Sequence, residues 1–585
     1  MKDIKSGYSN NKTSIKFLLL LFVVNYISHF RYFKKFGFYE DDFSNIAVNY
    51  SQNLDNIIQF VISRSTSWIQ GHPLLFVTGI LTYIGDKIGG LNGLYILSFI
   101  IVFINCYLVY RILKKIFPGS ELFAVTGSLC FCLFPSDTTK IMLTHTYFLQ
   151  ISLMFFFTAT LLYLKGWVKT SYFVIVLCIL SYESPFLVFF GIPLLKGEWN
   201  KKFRNEMIRH VSVLSVIIVI TFIVRKFMGE ERVAEVSNDA LGTLYKVITS
   251  LFIGPGMNFF LFLRTPVVTI IDWIKLYNPF WSDNIIVISI FCLIIFIWYF
   301  YKLKSDKSAV LNNEFNIIIN ENILEDEISD RNFTYNYFKR LKQIFLASLI
   351  LLILSYAVSF THYPPTALIG RMTSVHLAAT FAGSIIFACL CASIMYIADR
   401  NKFRKITITV ISIYLTLLVG YQIRIQIDFA KSWEFQKSYW TKILELSPDI
   451  NENTVIILPM PMSQYRYTRY VNSFSPWSDR NMLLYLFKFP KEWKNHPMYN
   501  TPWGNWKDNL EENNGTWKLN MPFFPPSVLQ DSNVILIVTN ENNDLVRIDS
   551  SVTVKGKKLN LKPKSEPTIN NFGKTPIYDL MIRPR

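Results

Sequence analysis

Three consecutive carboxylates, Glu40, Asp41 and Asp42, follow the first long apolar run in the stretch GFYEDDFSN. Placing acidic side chains near lipid costs free energy, so three of them at the end of an apolar run indicate a specific role. A carboxylate can deprotonate a hydroxyl nucleophile, and neighbouring carboxylates repel each other, which raises the pKa of one toward that of a general base. The triplet is therefore a candidate for acid–base chemistry. The competing interpretation is a solvated helix cap.

One arginine is the candidate holder of an anion. Arg371 is the only Lys or Arg in the stretch THYPPTALIGRMTSVH. A guanidinium can hold a phosphate through two N–H donors, both in the ground state and as the phosphate leaves. An arginine at the start of a membrane span is also common without such a role. Acids in one loop and an arginine in another suggest a reaction that needs both a base and an anion holder.

Further polar residues are predicted to gather near the triplet, in loops between apolar runs. They are Asp137 and Lys140 of PSDTTK, His145 shortly after it, Glu183 of YESP, His72 of GHPLL, and His362 and His376 on either side of Arg371. Structural alternatives are a helix cap for Asp137, an interfacial anchor for Lys140, a buried ion pair for Glu183 and packing for the histidines. Asp41 with Asp137 could hold a divalent cation, Mg²⁺ or Mn²⁺, although scattered carboxylates alone are not a metal motif.

The apolar runs around these residues indicate a membrane protein. Of the 585 residues 51% are hydrophobic, and 50 are phenylalanine. The apolar residues come in long runs, which is typical of membrane spans, and the first run lacks a signal-peptide cleavage site. The net charge of +18 does not indicate nucleic acid, because much of it sits in short clusters between apolar runs, where positive residues set topology. The seven cysteines lie inside apolar runs and show neither disulfide nor metal-ligand spacing.

About eleven spans are predicted, with the N-terminus inside and the C-terminus outside, because basic clusters then face the cytoplasm. The stretch Tyr172–Leu195 decides the count. One span would bury Glu183 at mid-membrane, whereas two short legs with a turn at YESP place it near the outer surface. The other predicted spans are Lys16–Phe30, Leu91–Ile112, Leu122–Phe134, Tyr147–Leu164, Val211–Val224, Ile285–Tyr301, Ile344–Phe360, Val375–Ile397 and Ile406–Ile423.

The predicted fold class is mainly α: a polytopic helical membrane protein with a small C-terminal extracytoplasmic domain that is α/β or mainly β. Residues 1–424 form the membrane module and residues 425–585 the outer domain, which has strand-like runs (NTVIILPMP, SNVILIVTN) and a hairpin (LVRIDSSVTVKGKKLNL). The remaining large segments are a first outer loop at 31–90, a second at 229–284 with interfacial helices, and a cytoplasmic loop at 302–343.

This plan resembles that of the GT-C membrane glycosyltransferases, which include protein O-mannosyltransferases, oligosaccharyltransferases and lipid A aminoarabinose transferases. YEDDF resembles the family's acidic motif in the first outer loop, SDTTK its second acidic loop, and LSYESPF its hairpin turn. The resemblance covers about Lys16 to Ile423. The family's turn is often Lys-Gly-Pro, whereas this chain has Glu-Ser-Pro, so a role for a lysine there does not carry over.

The resemblance implies a function in polysaccharide or cell-envelope biosynthesis. Such enzymes move a sugar, with inversion, from a polyprenyl-phosphate or polyprenyl-diphosphate donor to a hydroxyl of an envelope glycan, lipid or protein. The expected location is the outer face of a plasma (bacterial inner) membrane. Asp41 or Asp42 would be the general base, with Asp41 favoured as the first acid of the pair. Arg371 would hold the carrier phosphate, while Asp137 and Lys140 would shape the pocket.

Three other function classes stay open. A polymerase or ligase for surface polysaccharide would centre on outer loops rich in Arg and His, and the chain has no Arg-rich loop. A transporter or flippase would show charges in mid-span and two related halves, and neither is present in the sequence. A non-catalytic assembly protein would act through its C-terminal domain and would tolerate loss of the acids.

Overall fold

The computed structural model describes residues 15–66, 72–197, 199–230, 239–275, 283–303, 325–357, 365–460, 467–502, 506–513, 516–521 and 526–582, without the side chains of 325–333 and 476–477. The protein is mainly helical, with a small strand region near the C-terminus. This agrees with the predicted mainly α class.

Eight helical segments in the described part of the chain are long and apolar enough to cross a membrane. They are Ile15–Lys35, Pro73–Ile116, Leu143–Leu164, Lys201–Phe227, Ala240–Ile274, Ile285–Lys302, Ala379–Arg400 and Arg404–Leu446. The other helices are Asp42–Asn45, Leu54–Thr66, Glu121–Cys132, Val168–Ser181, Ser184–Leu195, Glu325–Leu354, Pro476–Asp479, Met482–Leu486 and Pro576–Met581. The helices fit a multi-pass membrane protein, but the predicted count of about eleven spans is not confirmed.

The segment Ala240–Ile274 differs from the prediction, which placed interfacial helices there. It is one helix of 35 residues and is among the eight candidate spans. Pro255 and Pro266 lie inside it and favour interruption at the level of sequence. A helix packed in a membrane tolerates such prolines, since neighbouring helices and local adjustment satisfy the backbone groups that proline frees.

The hairpin predicted within Tyr172–Leu195 is present. One helix ends at Ser181, and the next helical segment begins at Ser184 with Pro185 in its first turn. Proline suits a helix start because its fixed φ matches the helix and its missing N–H would be unpaired there anyway. Glu183 therefore lies in the turn between two short helices.

The strands form one larger sheet and three small ones. They are β1 (Val455–Ile457), β2 (Phe487–Lys488), β3 (Met498–Asn500), β4 (Leu510–Asn513), β5 (Thr516–Leu519), β6 (Ser527–Leu529), β7 (Val534–Thr539), β8 (Leu545–Ile548), β9 (Val552–Val554), β10 (Lys557–Leu559) and β11 (Gly573–Lys574). The larger sheet has the order β3–β1–β7–β8, with β1 parallel to both neighbours and β8 antiparallel to β7. The strand runs predicted around β1 and β7 are confirmed, and the predicted hairpin is β9–β10, in which Val554 faces Lys557.

The helix Arg404–Leu446 joins the bundle to the strand region. It has 43 residues and is buried along much of its length. Near its C-terminus Trp440 is fully buried, and its ring lies 4.7 Å from that of Tyr499 in β3. Bundle and sheet therefore share one hydrophobic core. The helix passes without a break through position 424, where the sequence predicts a domain boundary.

The same helix fixes the first loop, which follows the helical segment Ile15–Lys35, through Gly37. A Cβ at Gly37 would lie 1.8 Å from the ring of Trp433, which is 4% exposed. The Gly37 N–H donates to the Tyr39 hydroxyl (3.1 Å), and that hydroxyl donates to the Phe429 carbonyl (2.8 Å). The backbone at Gly37 is thus pressed against the helix immediately before the carboxylate triplet.

Gly37→Ala is therefore expected to lower the melting temperature of the purified protein, since the added methyl group overpacks a buried site at a cost of about 1–3 kcal/mol. Gly256→Ala is the matched control, because no heavy atom lies within 4 Å of its added Cβ. Gly37→Ala combined with Trp433→Leu should recover part of the loss. Equal melting temperatures for Gly37→Ala and Gly256→Ala would contradict this packing.

Candidate functional site

The three carboxylates of the triplet reach three different parts of the protein. Glu40 has a φ of 45°, in the left-handed region that non-glycine residues adopt only at a cost of about 1–2 kcal/mol. The chain turns sharply there and enters the short helix Asp42–Asn45. This turn separates the side chains, so each acid has its own surroundings.

Asp41 forms a bidentate ion pair with Arg371. The Arg371 Nη1 donates to Asp41 Oδ1 at 2.9 Å, and Nη2 lies 2.8 Å from Oδ2. The side chains are 19% and 22% exposed, so the pair is partly open to its surroundings. Burial raises the pKa of Asp41, while the Arg371 guanidinium acts in the opposite direction. The acid and the arginine singled out from the sequence thus meet directly, 330 residues apart in the chain.

Asp42 is fully buried and is held by three backbone N–H groups. Its Oδ1 accepts from Thr144 (2.7 Å), and its Oδ2 accepts from Tyr39 (3.1 Å) and Leu143 (3.3 Å). Leu143 and Thr144 are the first residues of the helix Leu143–Leu164, and the first N–H groups of a helix lack partners within it. Burial raises the pKa of Asp42 to about 7, although these donors favour the charged form. Asp42 therefore ties the first loop to the start of that helix.

A third contact joins the two remaining loops. The Thr138 N–H donates to the Thr373 hydroxyl (3.1 Å), and the two hydroxyl groups lie 2.9 Å apart. The Thr138 hydroxyl also donates to the Gly370 carbonyl at 3.4 Å. Together with the contacts of Asp41 and Asp42, this closes a ring of three loops, residues 39–43, 137–145 and 370–376.

Glu40 turns toward the C-terminal region, which sequence reasoning did not connect with the site. Asn472 is close enough to lower the pKa of Glu40, the Glu40 charge raises the pKa of Asp479, and Glu40 Oε1 has no hydrogen-bond partner among the described residues. Asp479 is buried and accepts a hydrogen bond from the Ser475 N–H at 2.8 Å. The Ser-Pro pair at 475–476 is a sequence signal for a helix start, but nothing local indicates its proximity to residue 40.

Asp137 and His145 border the ring with buried polar atoms. Asp137 Oδ1 accepts from the N–H (2.9 Å) and hydroxyl (2.7 Å) of Thr139. Among the described residues, Asp137 Oδ2 and His145 Nδ1 have no hydrogen-bond partner. His145 is close enough to Arg371 to interact with its charge. Buried polar atoms without partners are uncommon because each costs about 1–3 kcal/mol, and they are often found at functional sites.

Lys140 is directed away from the ion pair. Its side chain is 4% exposed, and Nζ donates to the carbonyls of Cys132 (2.7 Å) and Phe131 (3.4 Å). These carbonyls end the helix Glu121–Cys132, where a positive charge is favourable. Lys140 thus caps a helix, and within the described part of the chain its two hydrogen bonds do not reach the Asp41–Arg371 pair.

His72 and Glu183 form a separate charged cluster. His72 Nδ1 lies 3.6 Å from Glu183 Oε2, which is 3.4 Å from Arg225 Nη2. Arg225 Nε is in turn 3.6 Å from Glu230 Oε2. The two predicted site residues therefore join the hairpin turn to the end of the helix Lys201–Phe227, as in the structural alternative for Glu183.

Of the two histidines that flank Arg371, the structure describes only His376. His376 lies between the Tyr356 hydroxyl (2.8 Å from Nδ1) and the Ala367 carbonyl (2.9 Å from Nε2). Burial lowers its pKa to about 4, against the effects of that carbonyl and of Asp137. His376 is thus a neutral packing residue that holds the third loop. His362 lies outside the described residues.

A divalent cation does not fit the donor set. Both oxygens of Asp41 are held by Arg371, and one oxygen of Asp137 is held by Thr139. In the part of the chain that the structure describes, no three His, Cys, Asp or Glu side chains are grouped to hold a metal ion. Mg²⁺ and Mn²⁺ require several oxygen ligands in octahedral geometry.

Compared with models of known protein families and with curated proteins, the chain matches none. The resemblance to GT-C enzymes therefore stays a prediction, and any statement of function rests on the chemistry of the ion pair and the loops around it.

Glu40 gives the site a dependence on pH. Burial raises its pKa to about 7, with opposing effects of Arg371 and Asn472 and a further increase from Asp41. A glutamate in the unfolded chain titrates near 4.3. Between these values only the folded state retains the proton, so the free energy of unfolding falls as the pH rises from about 4.5 to 7.

Glu40→Gln is expected to raise the melting temperature at pH 8 and to flatten its decline between pH 5 and 8. The amide keeps the shape of the side chain and removes a penalty of at most about 4 kcal/mol. Melting curves in detergent at several pH values measure the effect, and Glu541→Gln, at an exposed position, is the control. A pH profile of Glu40→Gln that coincides with wild type would contradict the assignment.

Proposed function

We propose that the protein is an integral membrane glycosyltransferase that moves a sugar from a polyprenyl-phosphate carrier to a hydroxyl of an envelope acceptor. The observation that supports this most is the bidentate Asp41–Arg371 pair. It joins a candidate base and a candidate phosphate holder at one partly exposed position. The expected location is the outer face of a plasma membrane, with the N-terminus inside and the C-terminal region outside.

The ion pair suits a resting state because Arg371 can exchange its partner. A phosphate presents oxygens with a spacing similar to that of a carboxylate, so a guanidinium binds either through two parallel hydrogen bonds. When the donor phosphate takes Arg371, the Asp41 carboxylate loses its cation. Its surroundings already raise its pKa, and loss of the guanidinium strengthens its basicity further.

The transfer step forms one bond to the anomeric carbon and breaks another. The acceptor oxygen attacks the anomeric carbon from the face opposite the carrier, and its proton passes to Asp41. The bond between the anomeric carbon and the phosphate oxygen breaks, and the bonding electrons leave with the phosphate. Arg371 neutralises the leaving phosphate, as preorganised cations do for developing negative charge. One inversion at carbon results.

The remaining acids have positioning roles in this proposal. Asp42 is occupied by three backbone donors, which leaves no oxygen without a partner and makes it a poorer base than Asp41. It fixes the loop from which Asp41 projects. Asp137 and His145 offer buried polar atoms beside the ring that can receive hydroxyl groups of the sugar. Glu40 connects Asp41 to the C-terminal region.

Asp41→Asn is expected to lower the rate of sugar transfer by a factor of about 100 or more while donor binding is retained. The reason is that a general base accelerates such a reaction by a factor of about 10²–10⁴. The assay uses the purified protein in lipid with radiolabelled polyprenyl-phosphate sugars, offered one at a time, and an envelope fraction as acceptor. Arg371→Ala should weaken donor binding. Asp544→Asn, at an exposed position of the C-terminal region, serves as a control. Full activity of Asp41→Asn would rule out the general-base role.

A charge exchange separates catalysis from simple bracing of the fold. Asp41→Arg combined with Arg371→Asp keeps the ion pair with the charges reversed. The double variant should recover part of the melting temperature that each single variant loses, but transfer should stay absent because neither base nor phosphate holder is in place. Recovery of both stability and transfer would show that the pair is only structural.

A further inference from the structure

A second site lies at the far end of the helix Leu143–Leu164. Thr144 near its start contacts Asp42, whereas Tyr163 near its end lines a pocket of about 680 Å³. The 19 residue steps from Thr144 to Tyr163 span roughly 29 Å at about 1.5 Å per residue. This is close to the thickness of the hydrocarbon core, so the pocket and the ion pair lie near opposite surfaces of the membrane.

The pocket is built around one acid and three cations. Glu206 Oε1 accepts from the Tyr163 hydroxyl and from Lys196 Nζ, each at 2.8 Å. Lys169 and Arg209 also line it. Within the described part of the chain neither of these two has a carboxylate within 4.0 Å, and both are exposed. The pocket therefore has an excess of positive charge that the protein itself does not neutralise.

One wall of the pocket is rigid. His210 is fully buried, and its two ring nitrogens lie 2.9 Å from the Tyr172 hydroxyl and 2.9 Å from the Phe189 carbonyl. Lys196 Nζ lies 5.3 Å from the centroid of the Tyr163 ring, in addition to its pair with Glu206. These contacts fix the aromatic rings and Glu206, so the shape exists before any ligand arrives.

The pocket lies at the boundary between headgroups and lipid tails. The helix Lys201–Phe227 is basic up to Arg209 and apolar from Val211 to Val224, and only 11% of its most apolar window is buried inside the protein. Its apolar part therefore faces lipid. Trp167, in the lining, is 63% exposed, and tryptophan prefers the interfacial layer.

We infer that this pocket binds the phosphate headgroup of an anionic membrane phospholipid, a phosphodiester with a polyol head. The phosphate bridges Lys169 and Arg209. The negative charge of Glu206 disfavours a ligand with more than one negative charge, and its carboxylate accepts a hydrogen bond from a hydroxyl group of the polyol. The volume is in the range typical of small-molecule sites. The acyl chains follow the lipid-facing surface of the neighbouring helix.

The test measures lipid retention rather than sugar transfer, so it is independent of the proposed function. The full-length protein is purified in detergent and titrated with phosphatidylglycerol, phosphatidylcholine or inorganic phosphate. Bound lipid is counted by native mass spectrometry, and the melting temperature is followed. Phosphatidylglycerol should be retained and should stabilise the wild type, whereas phosphatidylcholine should not.

The double variant Lys169→Ala/Arg209→Ala should weaken phosphatidylglycerol binding about tenfold or more, since each cation near a membrane surface contributes about 1 kcal/mol. The matched control is Lys201→Ala/Lys202→Ala. It removes two exposed lysines of the helix that carries Arg209, and neither of them lines the pocket. Lys169→Arg/Arg209→Lys should retain binding and guards against a folding defect. The inference is overturned if the control weakens binding equally, if phosphatidylcholine binds as well, or if inorganic phosphate alone stabilises the protein to the same extent.

Discussion

The burial of Glu40 and Asp42, with the partly buried Asp41 between them, is the constraint on which the site depends. A carboxylate removed from water is unstable unless hydrogen bonds or a cation compensate for the lost hydration. The protein meets this need differently at each position: Asn472 near Glu40, Arg371 at Asp41, and the N–H groups of Tyr39, Leu143 and Thr144 at Asp42. Each solution requires a different part of the chain. The triplet therefore holds the first loop, two later loops and the C-terminal region in one arrangement.

The ring of three loops follows from this constraint. Because Asp42 supplies acceptors for the opening N–H groups of the helix Leu143–Leu164, that helix begins beside the first loop and nowhere else. Thr138 then joins the second loop to Thr373 and Gly370, which places Arg371 opposite Asp41. Removing one acid would leave its partners buried and unpaired, so the cost would exceed the loss of a single hydrogen bond.

Residue types and local patterns predicted the helical class, the hairpin turn at Glu183 and the strands β1 and β7. They also singled out Asp41 and Arg371, which the structure brings into contact, while the roles of the two residues stay predictions. These depend on hydrophobic periodicity or on the chemistry of single side chains, both of which are visible in sequence. The directions of Lys140, which caps a helix, and of Glu40, which faces Asn472 and Asp479, depend on contacts between distant segments. The helix Ala240–Ile274 was missed because two prolines resemble an interruption until the surrounding packing is known.

In the proposed mechanism, the ion pair between the base Asp41 and the phosphate holder Arg371 has a further consequence for chemistry in a membrane. An unpaired base at the surface could accept protons or activate water at any time, whereas a base held by Arg371 is quenched while no anion competes for the guanidinium. A phosphate can take the place of the carboxylate because the two anions bind arginine with similar geometry. Only a ligand that carries a phosphate to this position would then release Asp41. In the proposed mechanism, the pair thus makes the basicity of Asp41 conditional on the donor.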